Sequence, residues 1–214
     1  IGIVERDCLP DELRDLSVLK SRVEIYRLRA REQSEGLAHY DAADSGYKLL
    51  RNHLVEETQS YLETSFAHIR LKINAGQYNQ ARQIAAHLVD LITHRAGFVR
   101  RKPNITMLIN IHYAYAIALH AENRLLQSSE QYDICKNYLN IAYGKTDIST
   151  ALGLSVLIGY ARLLQDQNRF VDAESELSVL KNAQPQDFPF PAILTLGKIE
   201  LIRVMVQLGR TNIS

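Results

Sequence analysis

His87, Asp90 and His94 fall three and four residues apart and share one face of a helix, the spacing by which imidazole and carboxylate side chains hold a metal. No fourth ligand accompanies them, and a histidine near a helix end is already favoured by the helix dipole, so neither a metal nor a cofactor is expected. Gly144-Lys145-Thr146 has the ending of a phosphate-binding loop, but Leu139 stands where that motif needs its first glycine. A turn is expected there, with Thr146 or Asp147 capping the next helix. Cys135 lies within an apolar helical stripe, and no Ser or Cys sits in a glycine-flanked elbow with an independently placed His and acid. Glu56 and Glu57 are expected at an exposed helix start, where carboxylates favour the dipole. The pattern is that of a protein that is not an enzyme.

Arg70, Arg162 and Arg203 carry a different chemistry, since a guanidinium binds carboxylate or phosphate through paired N–H donors. Whether they act together depends on the elements that carry them. One junction recurs as Ala75-Gly76-Gln77-Tyr78-Asn79-Gln80-Ala81, Glu122-Asn123-Arg124-Leu125-Leu126-Gln127-Ser128 and Gln167-Asn168-Arg169-Phe170-Val171-Asp172-Ala173, and begins again at Leu208-Gly209-Arg210-Thr211. Gly or Asn stands where a helix must reverse, because both tolerate the left-handed backbone that ends one helix. In the three complete copies a large apolar residue follows, then a small one that lets the second helix approach the first. The junctions at 76, 123, 168 and 209 are 47, 45 and 41 residues apart, longer than the compact helical repeat of about 34.

Apolar helices precede the junctions, as at 109–121 and 152–165, with Tyr115-Ala116 and Tyr160-Ala161 at equivalent places. Amphipathic helices follow them: Ala81, Ile84, Ala85, Leu88, Leu91 and Ile92 make one buried face, and Ala173, Leu177 and Leu180 another. Pro103, the stretch 144–147, and Pro185, Pro189 and Pro191 separate the hairpins. Upstream, 11–32 reads as a charged helix with Leu16, Leu19, Val23, Ile25 and Leu28 as its stripe, and 40–54 as a second helix joined to it irregularly near Gly36. Strand signals are confined to the opening Ile1 to Val4. The expected fold is all-α, a solenoid of antiparallel helical hairpins: a linker over 1–10, then four to five hairpins over 11–214, the last one cut short.

Through Gly76, Tyr78 and Ala81, and through Tyr160, Ala161, Asn168, Phe170 and Ala173, the chain resembles the tetratricopeptide (TPR) family over most of residues 57 to 210. It lacks the family's Trp, and His68-Ile69 replaces the Tyr-Ala pair in the second hairpin. The resemblance implies a right-handed α-solenoid that binds proteins. The long repeats and the run Ile73 to Ala81 look most like the sensor solenoids of MalT-like, LuxR-type bacterial transcription regulators. That likeness implies a role in signal transduction or transcription regulation, beside further domains of a longer chain.

In a solenoid, residues at one offset from each junction stack into a column on the concave face. Arg70, Ile117, Arg162 and Arg203 share such an offset and would form a groove for an acidic ligand, unless acids such as Glu200 or Asp166 pair with them first. Asn110, Tyr113, His120 and Gln165 are expected on the same face, where they can bond a peptide; core packing is the competing role for Tyr113.

Composition narrows the partners. At 46% hydrophobic over 214 residues the chain can bury a sizeable core, and 25 Lys+Arg against 24 Asp+Glu leave a net charge of +1, which disfavours direct nucleic-acid binding. The basic run His94 to Lys102 reads as a solvated loop. No apolar run approaches the roughly 18 residues of a spanning helix, so no membrane partner is expected. Two cysteines without ligand-like spacing suit a reducing, cytoplasmic setting. The expected partner is a protein or peptide segment, or a small effector, bound non-catalytically. The rival role is a structural scaffold or oligomerisation module, with a second copy of the chain as a further partner.

Overall fold

The computed structural model describes residues 18–21, 23–24, 36–56, 58–94, 105–144, 150–184 and 188–209. Among them lie eight α-helices: α1 (Gly36–His53), α2 (Gln59–Asn74), α3 (Tyr78–His94), α4 (Ile105–Ala121), α5 (Leu125–Tyr143), α6 (Ala151–Asp166), α7 (Phe170–Leu177, extended by a 3-10 turn over Ser178–Leu180) and α8 (Pro191–Gln207). No strand occurs among the described residues. The chain divides into two compact units, Ile1–Met107 and Leu108–Ser214.

The repeated junctions form as their residues dictate. Gly76, Asn123, Asn168 and Gly209 all take positive φ, at 71, 59, 60 and 68°. In the three complete junctions the next amide reaches five residues back, from Gln77 to Lys72, Arg124 to Leu119 and Arg169 to Leu164, at 2.8 to 2.9 Å. These bonds satisfy carbonyls that the helix end would otherwise orphan. The small residues past each turn, Ala81, Ser128 and Ala173, are fully buried, as are Ile69, Ala116 and Ala161 on the preceding helices. Ser128 is tolerated there because its hydroxyl donates to the Ala116 carbonyl at 2.9 Å.

In the first unit, Ala43, Tyr47, Leu50 and Leu71 pack around Val23, which belongs to the expected upstream helix. Its residues 18–21 and 23–24 are helical; the rest of that expected helix and the opening 1–4 lie outside the described residues. Gly36 opens α1, and Thr58 caps α2 by accepting the Tyr61 amide at 3.2 Å. Glu56 lies in a turn before that cap and Glu57 lies outside the described residues, so the helix starts later than expected at Glu56.

The second unit centres on Ile109, Ala116, Tyr132, Cys135, Leu154, Leu163, Leu177 and Val204, drawn from all five of its helices. The cap of α6 is Thr150, accepting the Gly153 amide at 3.0 Å, and not Thr146 or Asp147; a cap acts only on the two or three amides directly after it. Pro191, expected as a breaker, instead opens α8 at its first turn, where no donor is lost. Gly159 has no side chain because a Cβ there would meet the Tyr132 hydroxyl at 2.5 Å. Gly159→Ala is therefore expected to destabilise the chain by about 1–3 kcal/mol through overpacking, read from the urea midpoint.

Candidate functional site

Arg162 on α6 and Arg203 on α8 meet at one carboxylate. Glu200, a turn before Arg203 on α8, accepts at Oε1 from Arg162 Nε at 2.9 Å and Nη2 at 2.6 Å. Arg203 Nη1 donates to Oε1 at 3.2 Å and to Oε2 at 3.1 Å. Glu200 is 2% exposed, whereas the arginine side chains are 50% and 59% exposed. The carboxylate thus lies beneath two guanidiniums that keep their outer donors in water. Two positive charges on one negative leave a surplus of one, held in fixed positions by the buried acid.

Tyr113 on α4 extends the cluster. Its ring meets that of Tyr132 edge-on, with centroids 6.1 Å apart. Burial pushes its hydroxyl up to about 12, opposed by the nearby charge of Arg162, so it stays a neutral donor. Of the two roles expected of Tyr113, packing on the core is the one seen, and the ring also lies within the field of Arg162.

The other expected residues are partly engaged. His120 Nε2 lies 2.7 Å from Asp166 Oδ2, tying α4 to the end of α6. Gln165 Nε2 donates to the Ala161 carbonyl of its own helix at 3.3 Å. Asn110 is half-buried on α4. Arg70, in the first unit, is exposed on α2 with its guanidinium 5.9 Å from the Phe66 ring centre. His94 pairs with Asp90 at 2.9 Å and His87 with Glu56 at 3.4 Å; no group of three or more metal-binding side chains occurs among the described residues. The basic run beyond His94, and Lys145-Thr146, lie outside the described residues.

A cluster the sequence reading missed lies between α1 and α2. Asp44 accepts from Lys48 at 2.7 Å, His68 Nε2 at 2.7 Å and Lys72 at 2.5 Å. Lys72 also donates to the Tyr40 hydroxyl and to Gln77 Oε1, both at 2.9 Å. His68 and Lys72 are 1% and 2% exposed. Burial raises the Asp44 carboxyl, but the bonds from Lys48, Lys72 and His68 outweigh it and hold it well below its ordinary value. Burial pulls His68 down to about 4, against the bond to Asp44. Ser65, His68 and Asp44 have the residue types of a nucleophile relay, yet the Ser65 hydroxyl has no hydrogen-bond partner and all three are buried, which leaves no route for a substrate. Cys135 is likewise buried, and burial drives its thiol well above the ordinary value, the opposite of what a nucleophile needs.

No protein-family model and no curated protein matches the chain. Two solved structures do. One holds nearly identical TPR-like repeats of a protein designated a kinesin light chain of Podosopora anserina: TM-score 0.66, 17% identity, 92% of this chain against 89% of that one. The other is BtubC (BKLC) of P. vanneervenii: TM-score 0.61, 14% identity, 98% of this chain against 86% of that one. This chain has a TPR-like helical-repeat fold. No described helix is long and apolar enough to cross a membrane.

Proposed function

We propose that the chain is a non-catalytic, protein-binding solenoid whose second unit receives an acidic peptide segment at Arg162 and Arg203. The observation that carries this reading is the arginine pair held on the buried Glu200: the guanidiniums are positioned before a ligand arrives, so little rotamer entropy remains to be lost on binding. Tyr113 lies within the field of Arg162 and supplies an aromatic surface beside the charge. A single surplus positive charge matches one Asp or Glu side chain or a chain-terminal carboxylate. The TPR-like fold is consistent with a surface that holds a polypeptide.

An array of acidic and neutral peptides, followed by titration of the best acidic one, tests the proposal. Arg162→Gln with Arg203→Gln, made together with Glu200→Gln so that no buried carboxylate is stranded, removes both positive charges and keeps groups that can hydrogen-bond one another. This variant is expected to weaken binding about tenfold or more and to flatten its salt dependence, with the helical circular dichroism unchanged. Equal affinity in the variant removes the site.

A regulatory role in a bacterial signalling or transcription protein is the finer part of the proposal and rests on the resemblance of Ile73 to Ala81. There the ligand would bias two arrangements of the stack by binding them unequally. A nucleotide-binding module and a helix-turn-helix in the same gene would support it. The exposed Leu196, Ile199, Ile202 and Val206 of α8 favour the alternative of a scaffold that joins subunits. An array without acidic binders, together with concentration-dependent self-association, would decide for that alternative.

A further inference from the structure

The polar seam between α1 and α2 lies within the first unit and takes no part in the proposed ligand site. Along α2, Tyr61, Ser65, His68 and Lys72 recur at helical spacing, and all four are buried. Polar residues therefore line much of the buried stripe of α2. At the offset of His68 the later hairpins carry Tyr115 and Tyr160, and at that of Lys72 they carry Leu119 and Leu164.

His68 is the sensitive member. Its Nε2 donates to Asp44, and its Nδ1 is fully buried with no hydrogen-bond partner. A neutral ring tolerates this, because a bare lone pair is only an unmade bond. A protonated ring does not, because it gains a buried N–H with no acceptor. Lys72 and Arg51 add repulsion to the new charge.

The surroundings offer little relief. α1 presents Tyr40, Asp44, Tyr47, Lys48 and Arg51, with Tyr47 stacked on the imidazole at 5.5 Å. Gln77 follows α2 and is occupied by Tyr40 and Lys72. Glu24 from the upstream helix is engaged by the Tyr47 hydroxyl. The buried face of α3 consists of Ala81, Ile84, Ala85, Leu88, Leu91 and Ile92. Asp44 is thus the carboxylate that His68 bonds among the described residues, and it already serves Lys48 and Lys72.

We propose that the α1–α2 contact is a proton-sensitive latch, closed while His68 is neutral and released when its imidazole takes up a second proton from solvent. The sign follows from the depressed value of the closed state. The latch keeps its full strength above about 6.5, the ordinary histidine value, and loses it as pH falls towards about 4. Asp44 is depressed as well, but its contribution is lost only below its ordinary 3.8, so a reading near pH 5 separates His68 from Asp44; burial also holds down His112 in the second unit, and the His68→Gln variant subtracts its effect.

Hydrogen exchange on the whole chain, with each amide corrected for its intrinsic rate, reads the opening directly. Between about pH 7 and about pH 5, protection across α1 and α2 is expected to fall about twentyfold relative to α6. His68→Gln keeps a donor for Asp44 but does not titrate, and should hold its protection over the same range. Should that variant not fold, the NMR titration of His68 in the native chain decides. A midpoint near 4 supports the latch, and one near 6.5 overturns it. Constant protection in the native chain, or an equal loss in His68→Gln, overturns it as well.

Discussion

Asp44→Ala is expected to destabilise the first unit by about 3–5 kcal/mol, because it strands the Lys72 ammonium in an interior where, among the described residues, no other carboxylate is bonded to it. Lys72 keeps the Tyr40 hydroxyl and Gln77 Oε1 as neutral acceptors, and neither offsets a full charge taken out of water. His68 loses its acceptor in the same step. Lys48, far more exposed, simply returns to solvent and adds little. A partner exchange separates the charge from the packing: Asp44→Ala combined with Lys72→Met removes both charges and should recover a large part of the loss. Urea unfolding of the single and double variants measures the coupling. A loss below about 1 kcal/mol for the single variant would mean that water reaches Lys72, as for a surface pair.

This seam also marks the limit of what the sequence makes legible. The junctions could be read because Asn and Gly at a helix end have a local meaning, and the positive φ at Asn123 and Asn168 follows from those residues alone. The shared offset of Arg162 and Arg203 could be read because a helical repeat returns the same face at each turn of the stack. Their meeting on Glu200 was visible only as a competing role, since an acid three residues from Arg203 can also point to water. Asp44 and His68 lie 24 residues apart on helices joined by an irregular turn, and no periodicity links them. A signal was present nonetheless: His68 and Lys72 occupy columns that hold Tyr and Leu in the later hairpins. A polar residue in a buried column requires a partner from a neighbouring helix, and the first hairpin was the place to look for it. The caps failed for a smaller reason, since Thr146, Asp147 and Thr150 are all competent residues and only the true helix start chooses among them.

Tyr132→Ala is expected to lower the stability of the second unit by about 3–5 kcal/mol, the range for deleting a large buried aromatic side chain. Tyr132 is almost fully buried and stands between Tyr113, at 6.1 Å, and Tyr160, at 5.6 Å. Its hydroxyl fills the space left by Gly159 on α6. Removing the ring opens a cavity bordered by α4 and α6, the helices that carry Tyr113 and Arg162. The loss should therefore reach the ligand site, weakening an acidic peptide even in conditions where the chain stays folded. Tyr132→Phe separates the contributions, since it keeps the ring contacts and gives up only the hydroxyl against Gly159. It should cost about 1.5 kcal/mol or less and leave peptide affinity unchanged. Calorimetric unfolding of both variants, with the peptide titration repeated on each, checks the two halves of the argument. If Tyr132→Ala is destabilised while its peptide affinity stays native, the aromatic cluster supports the core alone, and Arg162 and Arg203 with Glu200 form the site without it.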